Sequence, residues 1–302
     1  MDSINDIGTN REYKDRLFKR VFMNKEDLLS LYNAVNGTDY TNAEDIEVNT
    51  IEDCVFMSMK NDVSFLFKDM INMYEHQSTQ NANLPLRGFM YLSSLYKKSF
   101  SKHRDLYASK LIPLPTPQFI VFYNGEEDEP DERYLKMSDA YIGKITGQPS
   151  LECTARLLNI NYGHNKALMD NCKRLREYAM LVQRVRQNLD QNMDLKDALI
   201  EAVDYCIENE CLVDILQGHK AEVVDLLFTE YDELAHIKTE KQISYEDGIE
   251  VGRIEGKAEG KEEERQTSIH SLMDTMKLSF EEACSALKIP AEEIEKYRTR
   301  IQ

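Results

Sequence analysis

A chain of 302 residues with 42% hydrophobic side chains has the length for one large domain or two smaller ones, with a real core. Its net charge of −17 argues against a surface coated for nonspecific nucleic-acid binding. A local basic face stays possible, because Lys and Arg concentrate between Arg87 and Lys110 and again from Lys166 to Arg186. The six cysteines form no CxxC pair and the six histidines do not join them at zinc-finger spacing, so reduced thiols in the cytoplasm are the simplest expectation. No apolar run approaches the roughly 20 residues of a membrane-crossing helix, and no signal peptide is visible, so no membrane partner is expected.

In chain order, Asp2–Asn10 is polar and expected to be loose. A helix is predicted from about Arg11 to Val35, on the stripe Leu17, Val21, Leu28, Leu29, Tyr32 and Val35, with Gly37 as its stop. Ile51–Met57 has the character of a strand. The stretch Asn61–Gln77, NDVSFLFKDMINMYEHQ, alternates as two short strands joined by a tight turn. Taking Asp69–Met70 as the loop pairs Lys68 with Ile71, Ser64 with Glu75 and Asp62 with Gln77. Period-two alternation then puts Asp62, Glu75 and Gln77 on one face at the open end of the hairpin. Two carboxylates so placed can share a hard divalent cation.

Leu84–Pro85–Leu86 opens a second helix through about Tyr107, in which Arg87 and Tyr91 lie four apart on one face. Gln118–Tyr123 contains FIVFY, a continuous apolar run that predicts a buried central strand, ended by Asn124–Gly125. The acidic run Glu126–Glu132 predicts an exposed loop, and Leu157–Tyr162 another strand, with the polar cluster Asn161–Asn165 after it. His164 there suits a turn or cap better than a substrate contact. Leu168–Leu189, Leu195–Ile207 and Val223–Tyr231 repeat apolar residues at helical spacing. Gly248, Gly252, Gly256 and Gly260 then recur every four residues among charges, which fits either a flexible linker or a helix approached closely by a partner. Ser279 with Glu282 makes a capping box and Pro290 suits a helix's first turn, giving a small helical module suited to interaction or self-association.

An Asp in one strand followed by Glu-x-Gln in the next resembles the core motif of the PD-(D/E)xK nuclease superfamily. Asp62, then Glu75-His76-Gln77, then Arg87 and Tyr91, is similar to the Rpn family of recombination-promoting nucleases, also called putative transposases. YKDRLFKRVF near the start and LPTPQFIVFYNG in the middle fit the same family. The resemblance implies an α/β fold with an αβββαβ core and mixed central sheet over residues 1–165, a helical elaboration over 166–240, and a tail over 241–302. It implies Mg2+-dependent hydrolysis of DNA phosphodiesters, with Mn2+ able to substitute, and a link to DNA recombination. Asp62 and Glu75 would ligate the metal and Gln77 would orient the attacking water. Asp15, on the first helix, would complete the catalytic set, and Arg87 and Tyr91 would bind substrate. Two departures stand out: Asn61 replaces the motif's Pro, and Gln77 replaces Lys, supplying a hydrogen bond without a charge. The rival is a degenerate nuclease fold that serves as a DNA-binding or protein-interaction module.

Overall fold

The computed structural model describes residues 17–48, 63–100, 109–143 and 146–301. The chain divides into two compact units, with the boundary between Asp232 and Glu233.

The first unit is α/β. Its mixed sheet comprises β1 (Glu47–Val48), β2 (Val63–Phe67), β3 (Met70–Gln77), β4 (Thr116–Tyr123), β5 (Glu132–Lys136) and β6 (Thr154–Asn159), in the order β1-β2-β3-β4-β6-β5. β3, β4 and β6 run parallel, while β1 and β2 at one edge and β5 at the other pair antiparallel. The apolar run of β4 lies at the centre, between β3 and β6, and its last five residues are buried. A strand covered on both faces needs no polar side, which is why FIVFY is unbroken. Phe119, Val121 and Tyr123 pack under α3 (Leu84–Phe100) with Ile71, Met73 and Tyr91. Ile120 and Phe122 face the opposite way, into a larger core with Phe18, Tyr74, Leu158 and Tyr178. That second face is covered by α1 (Leu17–Val21), α2 (Lys25–Asn36), α4 (Lys166–Asn171), α5 (Lys173–Asp190), α6 (Leu195–Glu208) and the short α7 (Val213–Leu216).

Several boundaries differ from the sequence reading. The first helix is two, because Asn24 starts a new one: its side-chain oxygen accepts from the Asp27 backbone N–H at 2.7 Å, a standard N-cap. Gly37 does end it, at φ 65°. The Leu168–Leu189 segment is likewise broken at Cys172, whose backbone is extended at φ −131°. β6 begins at Thr154 and ends at Asn159, three residues before the predicted end. β5 follows the acidic run, sharing only Glu132 with it, and was not expected; its alternation of exposed and half-buried residues is the pattern of a solvated edge strand. Within that run Glu129 is buried and paired with Arg133 at 3.1 Å, against the expectation of a wholly exposed loop. The predicted strand Ile51–Met57 and the helical stretch beyond 100 lie outside the described residues.

The second unit contains most of the long helix α8 (Lys220–Met276), then α9 (Phe280–Ala286) and α10 (Ala291–Ile301). The glycine-punctuated tail is therefore helical. Ser279 and Glu282 form the capping box, the Glu282 carboxylate accepting from the Ser279 N–H at 2.8 Å. Ile269, Ala283, Cys284, Ile289 and Tyr297 make this unit's own small core. Among the described residues, no helix is long and apolar enough to cross a membrane.

Cys153, Cys172, Cys206, Cys211 and Cys284 are all free thiols and all buried. Burial pushes the Cys153 thiol up to about 11, and Cys206 up to about 12 with further help from Cys211. Thiolates are the reactive form. In a Cys54→Ser protein, the expected result is negligible reaction with Ellman's reagent at pH 8 and release of five equivalents in denaturant. Rapid reaction of the folded protein would contradict the burial.

Candidate active site

The β2–β3 hairpin turns on Lys68 and Asp69, with φ of 48° and 59°, so both central residues are left-handed. That is the geometry of a type I′ turn, which matches the natural twist of a hairpin. Phe67 pairs with Met70, Ser64 with Met73 and Val63 with Tyr74. The register thus differs from the predicted one by a two-residue step: Ser64 faces Met73, not Glu75. A shift of two preserves the faces. Ser64, Leu66, Met73, Glu75 and Gln77 share the α3 side, while Asn72, Tyr74 and His76 point into the other core.

Glu75 and Gln77 occupy the C-terminal end of β3. Glu75 is 2% exposed, and Gln77 is also buried. Gln77 Nε2 donates to Glu75 Oε1 at 2.9 Å. Arg87, in the first turn of α3, donates to the same oxygen through Nη2 and forms an ion pair with it. The same Nη2 donates to the Tyr91 hydroxyl at 3.4 Å, which follows from their four-residue spacing on the helix. Tyr91 is itself buried in the core under α3, so it touches Arg87 from behind. The α3 crossover brings Arg87 to Glu75, because β3 leads directly into the helix that returns over its own strand. Gly88 permits the approach: a Cβ there would stand 2.5 Å from Phe119 Cε1.

The electrostatics follow from this arrangement. A carboxylate taken out of water needs a partner to stay ionised, and Arg87 supplies one. Glu75 is nearly sealed while Arg87 keeps 26% of its side-chain exposure. Of the two, the guanidinium is the one within reach of solvent-borne groups.

Asp15 and Asp62 lie outside the described residues. Of the predicted set, then, Glu75, Gln77, Arg87 and Tyr91 come together. Among the described residues no group of three or more His, Cys, Asp or Glu side chains could hold a metal. The basic run from Lys166 to Arg186 is partly committed to internal pairs. Arg174 reaches Asp214 at 2.6 Å and Asp27 at 3.1 Å, and Arg184 pairs with Glu201. Arg174 holds the Asp214 carboxyl below its ordinary range. His164 bonds Asp131 at 2.8 Å, close to the turn that begins the helical region.

Sequence reasoning passed over the residues behind the strand. His76, between Glu75 and Gln77, is fully buried; it stacks on Phe18 at 4.9 Å and shares a 3.0 Å hydrogen bond with the Tyr178 hydroxyl. In sequence His76 is one of two polar residues, with Asn72, on that face of β3, so the alternation alone did not single it out. Its partner, 102 positions away, could not be read from spacing. No protein-family model, curated protein or solved structure matches the chain.

Proposed function

We propose that the chain is a Mg2+-dependent DNA endonuclease that hydrolyses phosphodiester bonds, with a role in recombination or mobile elements. The observation that carries this reading is the convergence of Glu75, Gln77 and Arg87 at one strand end. These are a metal-ligand type, a water-orienting type and a phosphate-binding type. Magnesium takes oxygen ligands and commonly uses one or two carboxylates beside waters and substrate phosphate. Glu75 supplies one; Asp62, immediately before Val63 in sequence, is assigned as the other, and Asp15 completes the catalytic set. A bound magnesium ion would supply Lewis-acid stabilisation of the reacting phosphate and a more acidic water. Gln77 would hold the attacking water by its amide. Arg87, backed by Tyr91, would hand part of its hydrogen bonding from Glu75 to a phosphate oxygen as substrate arrives.

A second reading is favoured by one observation: Arg87 already compensates Glu75, so the pair is complete as a structural ion pair. In that case the chain is a degenerate nuclease fold that binds DNA or protein. The deciding experiment is nicking of supercoiled plasmid by purified protein with Mg2+ or with chelator. The endonuclease reading expects nicking with Mg2+ only. Absence of nicking from both the full chain and a chain lacking Gly248–Gln302 would sink it in favour of the second.

A further inference from the structure

We propose that His76, Tyr178 and Asn124 are positioning residues that hold the end of β3, and so fix where Glu75 and Gln77 stand; the inference rests on the endonuclease reading. Four contacts close a ring. His76 is joined to Gln77 by the peptide bond, and the Gln77 carbonyl accepts from the Asn124 N–H at 3.0 Å. Asn124 Nδ2 donates to the Tyr178 oxygen at 3.3 Å, and the Tyr178 hydroxyl meets His76 Nε2 at 3.0 Å.

The surroundings make the ring rigid. His76 and Tyr178 are essentially sealed from solvent and Asn124 is 6% exposed, in a core where polar groups are costly unless bonded. Phe18 stacks flat on the imidazole and meets Tyr178 edge-on at 5.5 Å. The Asn124 carbonyl accepts from Arg186, two turns along α5 from Tyr178, so one helix grips the loop twice. The next residue, Gly125, runs so close to Ser78 that a Cβ would stand 2.6 Å from its carbonyl oxygen. A strand's successive side chains leave on opposite faces, so locking His76 on one side sets the orientation of Glu75 and Gln77 on the other. An apolar trio would fill the same volume at lower risk; a hydrogen-bonded ring adds direction.

The test is Tyr178→Phe, which removes one oxygen and keeps the ring of carbon, compared with His76→Leu and His76→Gln. Two readouts are taken on protein shown to be folded: amide exchange at Asn124, and Mg2+-dependent nicking resolved into turnover and DNA affinity. Expected for Tyr178→Phe are Asn124 exchange faster by about tenfold, turnover lower by about tenfold, and unchanged DNA affinity. His76→Leu should lose as much, and His76→Gln, which keeps a hydrogen-bonding group, should recover part of it. Asn124 exchange within twofold of wild type in Tyr178→Phe overturns the ring. A changed exchange rate with unchanged turnover keeps the ring but overturns its positioning role. If the wild type does not nick at all, the nuclease reading and with it the positioning role fail, while the exchange result still decides whether the ring exists.

Discussion

Glu75→Gln is expected to lower Mg2+-dependent nicking on the order of 10²-fold or more while leaving the protein close to wild-type stability. The amide keeps the shape of the carboxylate and an oxygen for Gln77 and Arg87, but it removes the charge that a divalent cation requires. Glu75→Ala should lose activity to the same extent and stability as well. It leaves the Arg87 guanidinium, only 26% exposed, with neither the charge nor an acceptor oxygen opposite it. Breaking a buried pair costs about 3–5 kcal/mol, and solvent screening at Arg87 halves that, to about 2 kcal/mol. Plasmid nicking and thermal unfolding on both variants check this. Equal nicking by wild type and both variants would place the activity elsewhere. A stable, inactive wild type whose Glu75→Ala variant melts lower would mark the ion pair as structural.

Gly88→Val is expected to be strongly destabilising. The added carbons must enter the space of the Phe119 ring, which is 4% exposed and held in the core under α3. Overpacking of this kind costs about 3 kcal/mol. For a unit of this size that lowers the melting temperature by roughly 6–12 °C. The ring and the helix must part, and Gly88 follows Arg87 directly, so the Arg87–Glu75 contact should loosen as well. Gly248→Ala makes the opposite prediction. It sits in α8 with nothing within 4 Å of a new Cβ, so it should stabilise its helix by up to ~1 kcal/mol. Differential scanning calorimetry of both variants tests the contrast. Similar shifts in the same direction would mean that close packing at Phe119 does not limit the fold.

The sequence by itself determined a good deal of this molecule. The unbroken FIVFY run announced a central strand, because a strand covered on both faces has no place for alternation. The hairpin's period-two pattern set which residues share a face, and a register error of one full period left Glu75 and Gln77 together with the face intact. Four-residue spacing placed Arg87 beside Tyr91, and the capping box at Ser279 was legible from two residues. These features are local, and their physics acts over a few positions of chain.

What the tertiary structure alone decided is non-local. Nothing in sequence spacing required Arg87 to fold back on Glu75, rather than face solvent; the α3 crossover and the space left by Gly88 did so. The turn residues Lys68 and Asp69 lack the usual Asn-Gly signature, so the loop was placed one residue late. Asn24 and Cys172 interrupt helices whose apolar stripes continue past the break, since a stripe reports the buried face and not the continuity of the axis. No strand was expected at Glu132–Lys136, because an edge strand takes its stability from backbone pairing with β6, not from its own side chains. His76 meets Tyr178 across 102 positions, a pairing that belongs to the packed sheet and helices together and has no trace in either segment alone.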